Sequence, residues 1–296
     1  MRLDDYRESS NVEQDGGNGG GGGGGFPLGA ILGLGGGRMG LGTIVILIIL
    51  ALVFGINPLS LLGGGGGQQT AQVSSASAGQ VCETNASYRF SCKVLATTED
   101  TWSRIFEQQG LRYQPPVLHF FNQRGMSGCG AAQAAMGPFY CPSDHKVYLD
   151  TGFFDELQER FGAPGDFAQA YVIAHEVGHH IQALQGIDQQ VRRAQASGSE
   201  KEANAVQVRM ELQADCYAGV WGAANRNLLD PGDLDEAVRP AQAIGDDTLQ
   251  KQAQGYAVPD SFTHGSSAER MAWLKRGYET GDPAQCDTFN AKTLDI

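Results

Sequence analysis

The hydrophobic pattern divides the chain into two unequal parts. From Met39 to Cys82 no side chain is charged, and within that stretch LGTIVILIILALVFGINPLSLL forms a near-continuous apolar run over Leu41–Leu62. At 1.5 Å per residue a run of this length crosses a hydrocarbon core of about 30 Å as a helix. A buried core helix would need packing partners, and glycine tracts flank the run on both sides. A cleaved signal peptide would begin with a short basic region. Here 38 residues precede the uncharged stretch that begins at Met39, with Asp4, Asp5, Glu8, Glu13 and Asp15 against Arg2, Arg7 and Arg38.

Residues 1–38 show no periodicity, and 22 of the 42 glycines fall between Gly16 and Gly67. The pattern therefore predicts a disordered Gly-rich cytoplasmic tail at 1–38, a transmembrane signal anchor at 39–62 and a flexible linker at 63–80. The folded domain is expected at 81–296. Arg38 adjoins the span and the next basic residue is Arg89, so the positive-inside rule places the N-terminus in the cytoplasm and the domain outside.

Within the domain, a helix is expected over Glu99–Gln109, entered from Thr97 or Thr98. Val117–Phe121 reads as a strand after Pro115 and Pro116, and Gly125–Gly137 as a loop. Gly137–Cys141 and Lys146–Asp150 read as strands joined by a Pro142–Ser143–Asp144 turn. The pattern then turns helical: FFDELQERFG, a longer helix over Asp166–Gln185, and a third from Ser199 to about Asn225. Ser199 and Glu202 form a capping-box signature for that third helix. Asp233 with Glu236 starts another helix, and Ser266 or Ser267 caps the last, over Ala268–Tyr278. Strands first and helices after predict an α+β fold.

A net charge of -12 excludes a nucleic-acid binder, which needs a basic face for phosphates. All six cysteines follow the span, and their even number suggests disulfides in an oxidising compartment. Cys82–Cys92 and Cys129–Cys141 are the favoured short-loop pairs, leaving Cys216–Cys286. A structural zinc site is the weaker alternative, since no C-x-x-C spacing occurs.

His175-Glu176-Val177-Gly178-His179 is an H-E-x-x-H on a predicted helix. Residues i and i+4 share one helical face, so both imidazoles can reach one Zn²⁺, with Glu176 beside it as general base. Gly178 in mid-helix costs about 1 kcal/mol relative to Ala, which fits a position of close approach. Gln182 and Gln185 occupy the positions where a metzincin has Gly and His, which excludes that class. Glu211 and Asp215 form a second i, i+4 pair on the third helix. Glu211 would complete a His₂Glu site, and Asp215 would accept the free N–H of a ligating His, His175 first.

HEVGHH followed about thirty residues later by ELQADCYAG resembles the bacterial neutral zinc metallopeptidases, gluzincin-type zincins anchored by one N-terminal helix. The likeness extends to SGCGAAQAAMGPFYCPSDHKVYLD at Ser127–Asp150 and DSFTHGSSAERMAWLKRGYETGD at Asp260–Asp282, nearly the whole domain. It implies His175, His179 and Glu211 as ligands of one zinc and Glu176 as the catalytic base.

Other histidines are assigned by context. His180 points about 100° away from His179 and is not expected to be a ligand. His264 is the first candidate for an oxyanion or leaving-group donor, with Tyr256 second. His119 reads as a satisfied core residue and His145 as exposed. By analogy with zincins, Lys146–Asp150 is expected to be an edge strand that aligns an extended peptide. The reading is a single-pass, membrane-anchored metalloendopeptidase with an extracytoplasmic domain and a peptide or protein substrate. A catalytically silent zincin-fold binding module is the alternative. An intramembrane protease does not fit, because the motif lies more than 100 residues past the span.

Overall fold

The computed structural model describes residues 1–16, 76–159, 165–291 and 294. The expected span at 39–62 and most of the linker lie outside these residues. Among the described residues, no helix is long and apolar enough to cross a membrane. The fold is mixed α and β, and mostly helical.

The sheet holds β1 (Val12–Gln14), β2 (Val117–Phe120), β5 (Phe139–Cys141) and β6 (Lys146–Leu149) in the order β1-β2-β6-β5. β1 and β6 both run parallel to β2, while β5 and β6 form the expected antiparallel hairpin. β6 is therefore interior, and β5 is the edge strand; the expectation for Lys146–Asp150 is corrected. Long-range parallel pairing with β2 carries no local sequence signal. A second, two-stranded sheet pairs β3 (Arg124–Ser127) with β4 (Gly130–Gln133) inside the expected Gly125–Gly137 loop. Its Gly and Ala residues lack the β-branched side chains by which strands are recognised.

Residues 1–16 are not a disordered tail. β1 pairs with β2 over Val12↔Leu118 to Gln14↔Phe120. Leu3 and Val12 are buried in the main core. Arg7 pairs with Glu99 and Asp100, and Ser9 donates to Glu99. The Met1 ammonium lies 2.7 Å from a carboxylate oxygen of Asp166. A strand paired with β2 shares β2's side of any membrane, so β1 and β2 lie on one side while that pairing holds. A cytoplasmic tail opposite an extracytoplasmic domain does not accord with it.

The helices are α1 (Ala78–Cys82), α2 (Ala86–Gln108), α3 (Gly152–Glu159), α4 (Asp166–Leu184), α5 (Ile187–Ser197), α6 (Glu200–Ala224), α7 (Asp233–Ala243), α8 (Asp246–Gln254) and α9 (Ser267–Thr280). Ser77 caps α1 in a capping box with Gln80, so ordered structure begins before residue 81. α2 starts at Asn85, well before the expected entry at Thr97 or Thr98. Those threonines bond back to the carbonyls of Val94 and Leu95, which lets them sit inside the helix instead of capping it. The capping box at Ser199 forms as read, and of the two serines offered for the last helix it is Ser266 that caps it, in a box with Glu269. The disulfides pair as favoured: Cys82–Cys92, Cys129–Cys141 and Cys216–Cys286.

α6 is held on two faces. A Cβ at Gly178 of α4 would lie 3.0 Å from the Ala214 carbonyl oxygen, so glycine permits the close approach of α4 and α6. On the other face Gly219 meets Gly277 of α9, where an added Cβ would sit 1.9 Å from the Cys216 carbonyl oxygen. Gly277→Ala is thus expected to destabilise the chain by about 1–3 kcal/mol through overpacking, although alanine favours a helix by about 1 kcal/mol. Denaturant unfolding checks this; unchanged or increased stability would contradict it.

The N-terminal strand is fastened by His119. Its side chain is buried, as expected, with Nδ1 2.7 Å from Glu13 and Nε2 2.9 Å from Asp15. Lys146 also donates to Glu13, and the Tyr148 ring lies beside the imidazole. Burial opposes the charged form, but the carboxylates of Asp15 and Glu13 outweigh it and hold the His119 pKa above its ordinary 6.5. The His119 contribution is full below pH 6.5 and is lost as pH rises through the raised value. His119→Ala is expected to cost about 1–3 kcal/mol at neutral pH and to flatten the fall in stability on the alkaline side. Unfolding curves at several pH values test this; equal pH slopes in both proteins would contradict it.

Candidate metal centre

α4 and α6 cross so that three ligand atoms converge. His175 Nε2 is 3.3 Å from Glu211 Oε2, and His179 Nε2 is 3.4 Å from the same oxygen. Ligands about 2.05 Å from a tetrahedral zinc lie about 3.3–3.4 Å apart, so the spacing fits that ion. The three residues form a group with metal-binding geometry. Asp166, Asp233 and Glu236 form another such group, and the Met1 ammonium lies within 3.3 Å of both aspartates.

Each of the three side chains is oriented from behind. His175 Nδ1 lies 2.8 Å from Asp215 Oδ1, the partner expected from sequence. The contact is poorly aligned for a hydrogen bond. Asp215 is fully buried, and Arg270 grips it through Nε and Nη2 at 2.8 and 2.9 Å. Tyr171 donates to Asp215 at 2.6 Å. Burial alone would raise the Asp215 pKa; Arg270 and His175 outweigh it and hold the carboxyl down at about 2. His179 donates through Nδ1 to Gln182 Oε1 at 2.8 Å. Gln207 donates to Glu211 Oε1 at 2.8 Å, which leaves Oε2 for the imidazoles.

Glu176 is buried beside this set, with the backbone of Tyr140 on edge strand β5 close enough to bear on its charge. Burial pushes its pKa up, against the pull of His175 and His179. β5 therefore borders the helix that carries H-E-x-x-H. His180 is not part of the metal group: its Nδ1 meets the Tyr140 hydroxyl at 3.0 Å and its Nε2 the Gln114 carbonyl at 2.6 Å. Burial holds its pKa down at about 4, so it is neutral. His145 is exposed, as expected.

His264 is brought close enough to Glu211 for their charges to interact. Its side chain is 43% exposed, so it can meet a ligand. Buried Asp246 shapes this loop. One carboxylate oxygen accepts the backbone N–H groups of Thr263 and His264, both at 2.6 Å, and of Gly265 at 3.2 Å. The other lies 3.3 Å from His264 Nδ1. Tyr256 is exposed on the loop after α8, and no contact ties it to the metal group.

Sequence reasoning missed Tyr171, Gln182, Gln207, Asp246 and Arg270 as supports. Gln182 and Gln207 stand three and four residues from a ligand, so helical spacing could have found them. Asp246 and Arg270 reach the site only through tertiary packing.

A family model described as putative neutral zinc metallopeptidase matches residues 1–289. An uncharacterized protein of Escherichia coli, YpfJ, is 50% identical over 293 residues, covering 98% of this chain and 99% of its own length. An uncharacterized protein of Mycobacterium tuberculosis is 42% identical over 231 residues, covering 72% of this chain and 76% of its own. No solved structure matches.

Glu211→Ala removes the oxygen that both imidazoles face. It is expected to weaken zinc binding by more than the roughly 10–100-fold that loss of a supporting partner costs. Chelator competition measures this; wild-type affinity in the variant would exclude Glu211 as a ligand.

Proposed function

The chain belongs to the neutral zinc metallopeptidase family, and from that premise we propose that it is a zinc-dependent endopeptidase. The observation that carries the reading is Glu176 held beside two imidazole Nε2 atoms and Glu211 Oε2 that converge with tetrahedral spacing. His175, His179 and Glu211 would hold the ion. When bound, zinc supplies Lewis acidity toward a carbonyl and lowers the pKa of a water.

In this reading, Glu176 takes the proton of the attacking water and hands it to the departing amine. His264, steadied by Asp246, donates to the oxyanion as the carbonyl is attacked. An extended peptide adds to the free edge of β5, which brings its backbone past Glu176. The three disulfides support an oxidising, extracytoplasmic setting for the domain. Association with a membrane through residues 39–62 belongs to the proposal. A single crossing with the tail opposite the domain does not, because β1 pairs with β2.

The test is cleavage of casein by the full chain, with zinc content measured on the same samples. Glu176→Gln is expected to retain zinc and lose roughly 10²–10⁴-fold in rate. His264→Ala is expected to lower kcat by roughly 10²–10³-fold with little change in KM. A zinc-loaded wild type no faster than Glu176→Gln on casein and on a peptide library would favour the silent binding module.

A further inference from the structure

His179 can offer Nε2 to a metal only if its other nitrogen carries the proton. Free imidazole does not enforce that choice, so something in the fold must. Gln182 Oε1 accepts from His179 Nδ1 at 2.8 Å. An amide can face a neighbour with either its oxygen or its nitrogen. What decides here is the far end of the same amide. Gln182 Nε2 lies 2.7 Å from the Met210 carbonyl oxygen and 3.0 Å from Gln213 Oε1.

The Met210 carbonyl is a backbone acceptor and cannot reverse. Gln213 is fixed in the same way, since its Nε2 donates to the Cys286 carbonyl at 3.0 Å. Cys286 is tied to α6 by its disulfide with Cys216. Gln182 is fully buried and Gln213 is 5% exposed. Turning the Gln182 amide over would set oxygen against carbonyl oxygen at one end. At the other it would aim an N–H at His179 Nδ1, which only the Nε2–H tautomer could accept. The clash with the Met210 carbonyl and Gln213 Oε1 therefore excludes the flipped amide and, with it, that tautomer.

We infer that Gln182 is a positioning residue that locks His179 in its Nδ1–H tautomer, its own polarity set by the Met210 carbonyl and by Gln213. His175 differs, because its partner Asp215 is a carboxylate and has no polarity to choose. Gln182 is neutral, so His179 is oriented without another buried negative charge beside Glu211, Glu176 and Asp215. The inference rests on the reading of His179 as a metal ligand.

The experiment uses the full chain and three readouts: zinc affinity by chelator competition, melting temperature without metal, and the His179 tautomer. The tautomer is read by ¹⁵N NMR on metal-free protein at a pH where the imidazole is neutral. Wild type is expected to show His179 as Nδ1–H. Gln182→Leu is expected to lose roughly 10–100-fold in zinc affinity and to show the Nε2–H form. Gln213→Leu, which keeps the Met210 contact, is expected to lose less. Wild-type affinity in a folded Gln182→Leu would overturn the inference, as would an Nε2–H tautomer in wild type. If Gln182→Leu does not fold, the wild-type tautomer and Gln213→Leu decide. A wild type that binds no zinc would instead remove the reading of the site itself.

Discussion

Glu211 is a carboxylate buried between two imidazoles, with one oxygen about equally far from both Nε2 atoms. Such an arrangement is costly unless a cation or protons offset the charge. Most of the surrounding structure serves to hold it. Asp215, Arg270 and Tyr171 brace His175, Gln182 braces His179, and Gln207 turns Glu211. The glycine contacts at Gly178 and Gly277 set how closely α4, α6 and α9 approach, and so where Glu211 arrives. A fraction of an ångström in that packing is a fraction of an ångström in ligand spacing.

The sheet bounds the same site from the other side. The Tyr140 backbone of β5 lies near Glu176, and the Tyr140 hydroxyl meets His180 of α4. The edge strand is therefore tied to the helix that carries H-E-x-x-H. At the opposite edge β1 closes the sheet with residues from the start of the chain, pinned through His119. The strand beside the metal-binding group and the N-terminal strand are thus the two edges of one four-stranded layer.

The convergence of His175, His179 and Glu211 was legible in the sequence because α-helical spacing is local. H-E-x-x-H and the Glu211/Asp215 pair each put two groups on one face without reference to the rest of the fold. The capping box at Ser199 was legible for the same reason. β1 was not, because the glycine-rich composition that follows it masked a short strand whose partner lies about a hundred residues away. The interior place of β6 was hidden likewise, since parallel order is set by long-range contacts. Thr97 and Thr98 misled because a threonine caps a helix or bonds back within it, and only packing decides which. Asp246 shapes the His264 loop from 18 residues upstream, with no motif to announce it.

Zinc K-edge absorption on the purified full chain, beside its metal content, tests the account most directly. The expected result is one zinc per chain with about four light-atom neighbours near 2.0–2.1 Å, two showing imidazole scattering. A sulfur shell near 2.3 Å, a six-oxygen shell, or no bound zinc would contradict it.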